Sequence, residues 1–406
     1  MKRTTALETK SPNTTPKVLY IASSGNMGGG STALLNLLTY LGDRVQPTVV
    51  FPQKGPFSEQ VANHGIPCVF LPVPFLSYPP FGTPNQRFFY LYELMKTCYR
   101  NIKSISALRK FMNASKPDLV HTNVGPVQAG YRAAKKLRIP HVWHLREYQE
   151  AINLPPFPSI ARYRSMLQED GNHSIAISDG IKNHYDKQAT VIHDGVIDAD
   201  YPVPMINLDK EPYILFVGRL EDTKGAMDTL DAYLDYAEQA TTLVLKLVFA
   251  GAPCSEAYLN TMKQRVREAG RETSVRFLGY SDKVDQLMAK SRAIIVASHS
   301  EGFGFTTVEA MYNGCLVIGR DNSGTKMQFD NGKRLTGSEI GLRYTTQEAL
   351  VNHLKDVASQ PPSYYLSMLK HAQQTVCQLY TKQAHAAAVY QLYMNQLARN
   401  QSNRSK

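Results

Sequence analysis

The sequence predicts two doubly wound α/β domains in tandem, and three observations carry that prediction. The chain has 406 residues, enough for two domains at roughly 100–200 residues each. Short β-branched runs alternate with longer amphipathic stretches, the pattern of strands joined by crossover helices in a parallel sheet. The rhythm breaks at Tyr201–Pro212 and restarts at Tyr213.

Residues 1–15 are rich in Ser, Thr, Lys and Pro and read as a flexible tail. The first domain, 16–205, holds the strand candidates Lys17–Ala22, Pro47–Phe51, Cys68–Val73, Asp118–Thr122, His141–Leu145, Ser174–Ser178 and Thr190–His193. Tyr201–Pro212 contains three prolines and Asp209-Lys210-Glu211 and reads as a linker. The second domain, 206–380, holds Tyr213–Arg219, Leu243–Ala250, Val275–Gly279, Ala293–Ala297 and Leu316–Gly319. Several of these runs are almost continuously apolar, as strands covered on both faces require. From Pro362 to about Leu397 the pattern is helical, and a helix over 381–400 is expected to return to the first domain. Gln401–Lys406 reads as a second tail.

Composition excludes several classes. Apolar residues make up 43% and charged residues 19%, a globular balance. There is no run of about 18 apolar residues, the length of a membrane-crossing helix. The start, Met1-Lys2-Arg3-Thr4-Thr5, leads to Glu8, Lys10 and Pro12 without an apolar core, so no secretory leader is expected. Cys68, Cys98, Cys254, Cys315 and Cys377 are scattered and form no CxxC pair. That usage suits a reducing, cytoplasmic location and excludes a disulfide scaffold or zinc ribbon. The 45 basic residues exceed the 34 acidic ones by 11, and between residues 91 and 150 eleven bases face four acids. Such a patch attracts nucleic acid, anionic lipid or a phosphorylated substrate. No nucleic-acid-reading motif accompanies it, so nucleic acid is not an expected partner.

Ligands of doubly wound sheets bind at the carboxyl ends of the strands, in loops that lead into helix N-termini. Two such domains imply a cleft, and four loops can furnish it. The first, Ser23–Ser31, contains Gly28-Gly29-Gly30. It lacks the Lys of a Walker A loop and the spacing GxGxxG, so it is either a ligand-approaching turn or a plain structural one. The second, Val217–Gly225, brings Arg219 and Lys224 to a strand end and a helix start. A cation at a helix N-terminus is misplaced unless an anion sits there, so this pair either clamps a diphosphate or is simply solvated. The third, Ser298–Ala310, contains Glu301-Gly302-Phe303-Gly304-Phe305-Thr306 and then Glu309. A helix is expected from near Thr306. Glycines free the backbone to face phosphate, and a carboxylate one turn into the helix can accept both hydroxyls of a ribose. Alternatively, Thr306-x-x-Glu309 is a capping box.

Val217-Gly218-Arg219 with Lys224-Gly225, followed by Glu301-Gly302-Phe303-Gly304 and Glu309-Ala310, resembles the donor site of retaining family 4 (group 1) glycosyltransferases of the GT-B fold. The order of elements matches from about residue 16 to 397. The resemblance implies two Rossmann-like domains facing a cleft. It implies that Glu309 binds the nucleotide ribose, that Arg219 and Lys224 hold the diphosphate, and that Glu301, with the segment Gly302 to Thr306, meets the donor. In the fourth loop, Trp143–Glu147, it makes His144 the counterpart of a histidine facing the transferred sugar. Read alone, without the resemblance, His144 is rather a hydrogen-bonded histidine at a strand end. Gly28, Gly29 and Gly30 correspond to the glycine loop beneath diphosphate and acceptor. One departure stands out: Asn322–Phe329 lacks the Glu that many relatives carry there, which leaves the donor sugar open.

The expected function is transfer of a sugar from a UDP- or GDP-linked donor to a hydroxyl of a saccharide or lipid-linked acceptor, with retention. Its setting would be cell-surface polysaccharide or glycolipid synthesis. No cofactor beyond that co-substrate is expected, and no metal, since no DxD motif of the metal-dependent transferases is read here. Alternatives on the same fold are a nucleotide-sugar epimerase, a glycosyl phosphorylase, or a non-catalytic binding protein. Phe88–Met112 interleaves aromatic residues with Lys96, Arg100, Lys103 and Arg109. That pattern suits docking on the anionic inner face of the cell membrane, or an ordinary helix with its apolar stripe on the sheet.

Overall fold

The computed structural model describes residues 15–79, 81–240 and 244–404. The chain folds as two compact units. One runs up to Trp143 and takes in Gln168–His173 and the residues from Val389 on; the other comprises His144–Leu167 and Ser174–Ala388.

Seven strands, β1 (Lys17–Ile21), β2 (Gln46–Phe51), β3 (Cys68–Phe70), β4 (Leu119–Thr122), β5 (His141–Leu145), β6 (Asn172–Ala176) and β7 (Thr190–Val191), form a sheet in the order β3-β2-β1-β4-β5-β6-β7. Six more, β8 (Tyr213–Val217), β9 (Lys246–Ala250), β10 (Val275–Gly279), β11 (Ala293–Val296), β12 (Val317–Arg320) and β13 (Leu342–Tyr344), form a second in the order β10-β9-β8-β11-β12-β13. The described pairings are parallel, as between β1 and β4 and between β8 and β11. In each sheet the chain steps outward from its first strand, then crosses back to the other side. The strand order therefore reverses at β1/β4 and again at β8/β11, the positions where loops part to admit a ligand.

The crossovers in the first half are α1 (Gly29–Leu41), α2 (Pro56–Asn63), α3 (Pro84–Ser115), α4 (Ala129–Leu137), α5 (Ile160–Leu167) and α6 (Asp179–Tyr185). The second half adds α7 (Ala226–Gln239), α8 (Glu256–Glu268), α9 (Val284–Lys290), α10 (Phe305–Tyr312), α11 (Ser323–Thr336) and α12 (Gln347–Ser359), then α13 (Leu366–Leu379) and α14 (Lys382–Arg404). Helices on both faces explain the apolar strands: Val18–Ile21, Leu119–Thr122 and Ala293–Val296 are buried throughout. All twelve expected strands form. The thirteenth, β13, is a three-residue edge strand beside β12, too short to show a period in sequence. Of the expected tail at Gln401–Lys406, residues 401–404 are instead the last turn of α14, since Gln, Ser and Asn tolerate a fraying helix end, and residues 405–406 lie outside the described residues. The expected tail over 1–14, and Leu243 of the expected strand, lie outside the described residues.

Residues from Val389 on are tied into the first unit by Tyr393. Its hydroxyl meets His121 Nδ1 at 2.6 Å and donates to the Tyr20 hydroxyl at 3.3 Å, and all three side chains are buried. Helix α3 has two faces. Asn101, Ser104, Leu108 and Met112 are buried, whereas Phe88, Tyr92, Met95, Tyr99 and Ile102 are each more than half exposed. The 4-3-4-3 spacing of that second set makes one continuous outward stripe. No helix among the described residues is long and apolar enough to cross a membrane.

Substituting Tyr393→Phe keeps the ring packing and removes the hydroxyl bridge. The expected loss is about 1–3 kcal/mol, the range for a buried hydrogen-bonding group left unsatisfied. It is read as a lower urea midpoint at unchanged slope.

Candidate active site

Strands β8 and β11 are neighbours, with Ile214 opposite Ala293, so the loops that follow them leave the sheet side by side. The β8 loop makes a 3-10 turn over Asp222–Lys224 and ends at Gly225, whose φ is 69°. A Cβ at Gly225 would lie 2.3 Å from the Ala297 carbonyl oxygen, so only glycine lets the two loops come this close. The His299 N–H donates to the Thr223 carbonyl at 3.0 Å and joins the same loops again.

This stitching brings two predicted residues into contact. Lys224 Nζ lies 2.7 Å from Glu301 Oε2. The anion called for beside a cation at a helix start is, in the free protein, the Glu301 carboxylate. Arg219 extends from the same loop with its side chain 70% exposed and donates to Glu221 at 3.0 Å. A surface pair of this kind is weak and leaves the guanidinium able to turn to a stronger anion.

The β11 loop enters α10 through Gly304, φ 95°. The helix begins at Phe305, one residue earlier than expected, and no side chain caps it. The capping box is therefore not formed, and Glu309 is the fifth residue of the helix. Burial pushes its carboxyl up from the ordinary value, and among the described residues no side chain pairs with it. Phe303 is buried against Tyr380 and His193. Helix α11 holds this loop from behind. Gln328 Nε2 donates to the carbonyls of Phe303 and Gly304 at 2.7 and 3.1 Å, Asn322 donates to those of Ser298 and His299, and Gly324 N–H donates to that of Glu301.

Two cavities open here. A small one of about 40 Å³ includes Gly218, Lys224, Glu301, Gly304, Thr306 and Thr307 in its wall. A larger one of about 520 Å³ is lined by Arg219, Lys224, His299, Glu301 and Gly302, and on another side by Arg146, Glu147 and Tyr148. Phe303, Phe305, Glu309 and His144 line neither. His144 is fully buried, with its Nδ1 3.3 Å from Arg146 Nη2 and its ring stacked on His385 at 5.9 Å. Gly28, Gly29 and Gly30 belong to the first unit, at the start of α1. A Cβ on Gly28 or Gly29 would meet no protein atom within 4 Å, so packing does not demand glycine at either position.

Several participants were not legible in sequence. Asp228 accepts from His299 at 2.7 Å and pairs with Arg320. Its burial works against the charge, but the His299 hydrogen bond and the Arg320 charge hold the carboxyl below its ordinary value. Arg146 and Asp194 form a buried ion pair at 2.6 Å. The chain does contain one DxD spacing, Asp198-Ala199-Asp200, and both carboxylates there accept from Gln383 of α14.

Comparison with known proteins is decisive for the family. Residues 27–199 match the family described as Glycosyltransferase Family 4, and residues 205–391 match that described as Glycosyl transferases group 1. The chain belongs to the family 4, group 1 glycosyltransferases. This glycosyltransferase is 29% identical over 129 residues to a trehalose synthase of Thermococcus litoralis, a match covering 30% of the chain and 31% of that relative. It is 25% identical over 159 residues to the poly(glycerol-phosphate) alpha-glucosyltransferase of Bacillus subtilis, covering 39% of the chain and 22% of that protein. The chain thus spans about a third or less of the length of the curated relatives it matches. Among solved structures, Anabaena HepE in complex with UDP and glucose has a TM-score of 0.71 at 18% identity, covering 94% of this chain and all of that one. Sucrose-phosphate synthase of Thermosynechococcus elongatus has a TM-score of 0.68 at 16% identity, covering 95% and 100%. At such identities the likeness shows the fold, which is GT-B with two Rossmann-like domains.

Glu147, half-buried on the wall of the larger cavity, generates a pH dependence. Burial pushes its carboxyl up from 4.5 to about 7, against the charge of Arg146 and two backbone N–H groups, with Asp194 adding to the rise. The folded state therefore holds a proton that the unfolded chain has released, and stability present below pH 4.5 is lost as the pH rises through 7. Glu147→Gln removes that loss. Its melting temperature is expected to match wild type near pH 4.5 and to exceed it at pH 8, by an amount corresponding to about 1–3 kcal/mol.

Proposed function

We propose that this glycosyltransferase moves a sugar from a UDP- or GDP-linked donor to a hydroxyl of a saccharide or lipid-linked acceptor, with retention and without a metal. One observation carries the reading: Arg219, Lys224 and Glu301, from loops of neighbouring strands at a strand-order reversal, line one cavity of about 520 Å³. In support, the Anabaena protein of the same fold was crystallised with UDP and glucose. The curated relatives include synthases of trehalose and mannosylfructose phosphate and a glucosyltransferase acting on poly(glycerol phosphate).

In this reading the donor diphosphate draws Lys224 away from Glu301 and recruits Arg219. Fixed positive charge then meets the negative charge that grows as the bond between the anomeric carbon and the phosphate oxygen breaks. The acceptor oxygen bonds to the anomeric carbon from the face the phosphate leaves, and its proton passes to the departing phosphate oxygen. Glu309 accepts the ribose hydroxyls. Glu301, released from Lys224, and the segment Gly302 to Thr306 meet the donor, as does His144 at the transferred sugar. In the first unit, the open space at Gly28 and Gly29 leaves room for ligand at the Gly28-Gly29-Gly30 turn. Lys224→Ala is expected to lower kcat/KM roughly 100-fold or more, the scale for one preorganised charge-stabilising group. Glu309→Ala is expected to weaken UDP or GDP binding at least about tenfold in calorimetry. Unchanged donor affinity in both variants would overturn the assignment.

The outward stripe of α3 supports a bilayer surface as the place of work. Phe88 is 82% exposed and Ile102 65%, and between residues 84 and 115 six bases face the single acid Glu93. Lys96 and Lys103 lie over the Tyr92 and Tyr99 rings at 5.4 and 4.7 Å. Aromatic residues flanked by cations suit the interface of an anionic leaflet. Two copies packed stripe to stripe would instead oppose like charges. Co-sedimentation with phosphatidylglycerol vesicles is expected, weakening with salt and lost in Phe88→Ser/Tyr92→Ser. Equal binding to neutral phosphatidylcholine vesicles, or none to either, would remove the membrane reading.

A further inference from the structure

Behind the larger cavity, Arg146 Nη1 lies 2.6 Å from both Asp194 oxygens, with the two side chains 4% and 2% exposed. Arg146 Nη2 lies 3.3 Å from His144 Nδ1. A guanidinium only donates and stays charged in proteins. The His144 nitrogen that meets it must therefore offer a lone pair, so the imidazole is neutral with its proton on Nε2. A protonated ring would set N–H against N–H and place a second positive charge beside the first. His385, stacked on His144, has its Nδ1 2.7 Å from the His193 carbonyl. A carbonyl only accepts, so that ring too has a defined tautomer, and its burial favours the neutral form. Arg146 and His385 meet His144, with Asp194 and His193 behind them and Glu147 beside Arg146.

Stability does not explain the pair, because a buried ion pair is often no better than an apolar replacement. Position explains it better. The Arg146 carbonyl abuts Gly302 so closely that a Cβ there would fall 2.1 Å away. One residue thus touches both the His144 ring and the loop that carries Glu301.

We propose that Arg146, held by Asp194, is a positioning residue that locks His144 as the neutral Nε2–H tautomer, so that His144 offers the transferred sugar a hydrogen-bond donor and not a proton acceptor. The contact with sugar rests on the function proposed above; the tautomer does not.

Long-range nitrogen–proton spectra of the full chain labelled with 15N-histidine test the lock directly, His144 being assigned by the signals lost in His144→Gln. The expected result is the Nε2–H tautomer from pH 6 to 8.5, replaced by a tautomer mixture or imidazolium in Asp194→Asn. An Nδ1–H tautomer or an imidazolium in the wild type would overturn the proposal, and this readout needs no variant that folds poorly. In turnover, Asp194→Asn and Arg146→Lys are expected to lower kcat roughly 10–100-fold, the scale for losing a group that orients a histidine, with KM for the donor nearly unchanged. His144→Gln, which keeps an N–H near the Nε2 position, should retain more activity than His144→Ala. If the wild-type tautomer is as expected but His144→Ala turns over normally, the sugar contact fails and the tautomer assignment stands.

Discussion

At Gly225 the backbone passes so near Ala297 that only a hydrogen fits between them. That approach sets the separation of the loops after β8 and β11, and the rest of the candidate site follows from it. Lys224 precedes the glycine and Glu301 follows Ala297 by four residues, so a fixed loop separation becomes a fixed cation–carboxylate contact of 2.7 Å. A side chain at 225 would act on the charge pair through the backbone without touching either charge.

The second support comes from α11. Gln328 is fully buried and hydrogen-bonded to two consecutive carbonyls of the loop, while Asn322 and Gly324 secure three more. Unpaired carbonyls in so buried a loop would be expensive. This is the segment, Asn322–Phe329, in which the resemblance drawn from the sequence leads one to expect a Glu that the chain lacks. What the residues here do is hold the Glu301 loop, through groups that donate to carbonyls, a task a carboxylate could not perform. Arg146 closes the loop from the opposite side through its backbone carbonyl at Gly302.

Much of this was legible in the sequence. The strand runs could be read because burial on both faces writes itself as continuous apolar residues. The loops after β8 and β11 were marked by Arg219, Lys224, Glu301 and Glu309 among glycines. Other features left no local trace. Asp194 and Arg146 are 48 residues apart, and nothing in either neighbourhood says that two charges will be buried together. β13 is three residues long. The Thr306-x-x-Glu309 spacing suggested a cap that does not form, because Gly304 in a left-handed turn starts the helix a residue early.

The sequence by itself determined the class of fold, two wound sheets with a break between them, because hydrophobic period and glycine placement are local properties that act along the chain. It also determined which loops carry unusual charge. Only the tertiary structure decided how those charges are spent: Lys224 against Glu301, Arg219 largely in solvent beside Glu221, Glu309 without a side-chain partner among the described residues, His144 buried behind an ion pair. It also turned the stripe of α3 outward, since a helix shows both its apolar faces in sequence but only packing selects the one that is covered. Pairings of this kind depend on distances between residues far apart in the chain, which no period or spacing encodes.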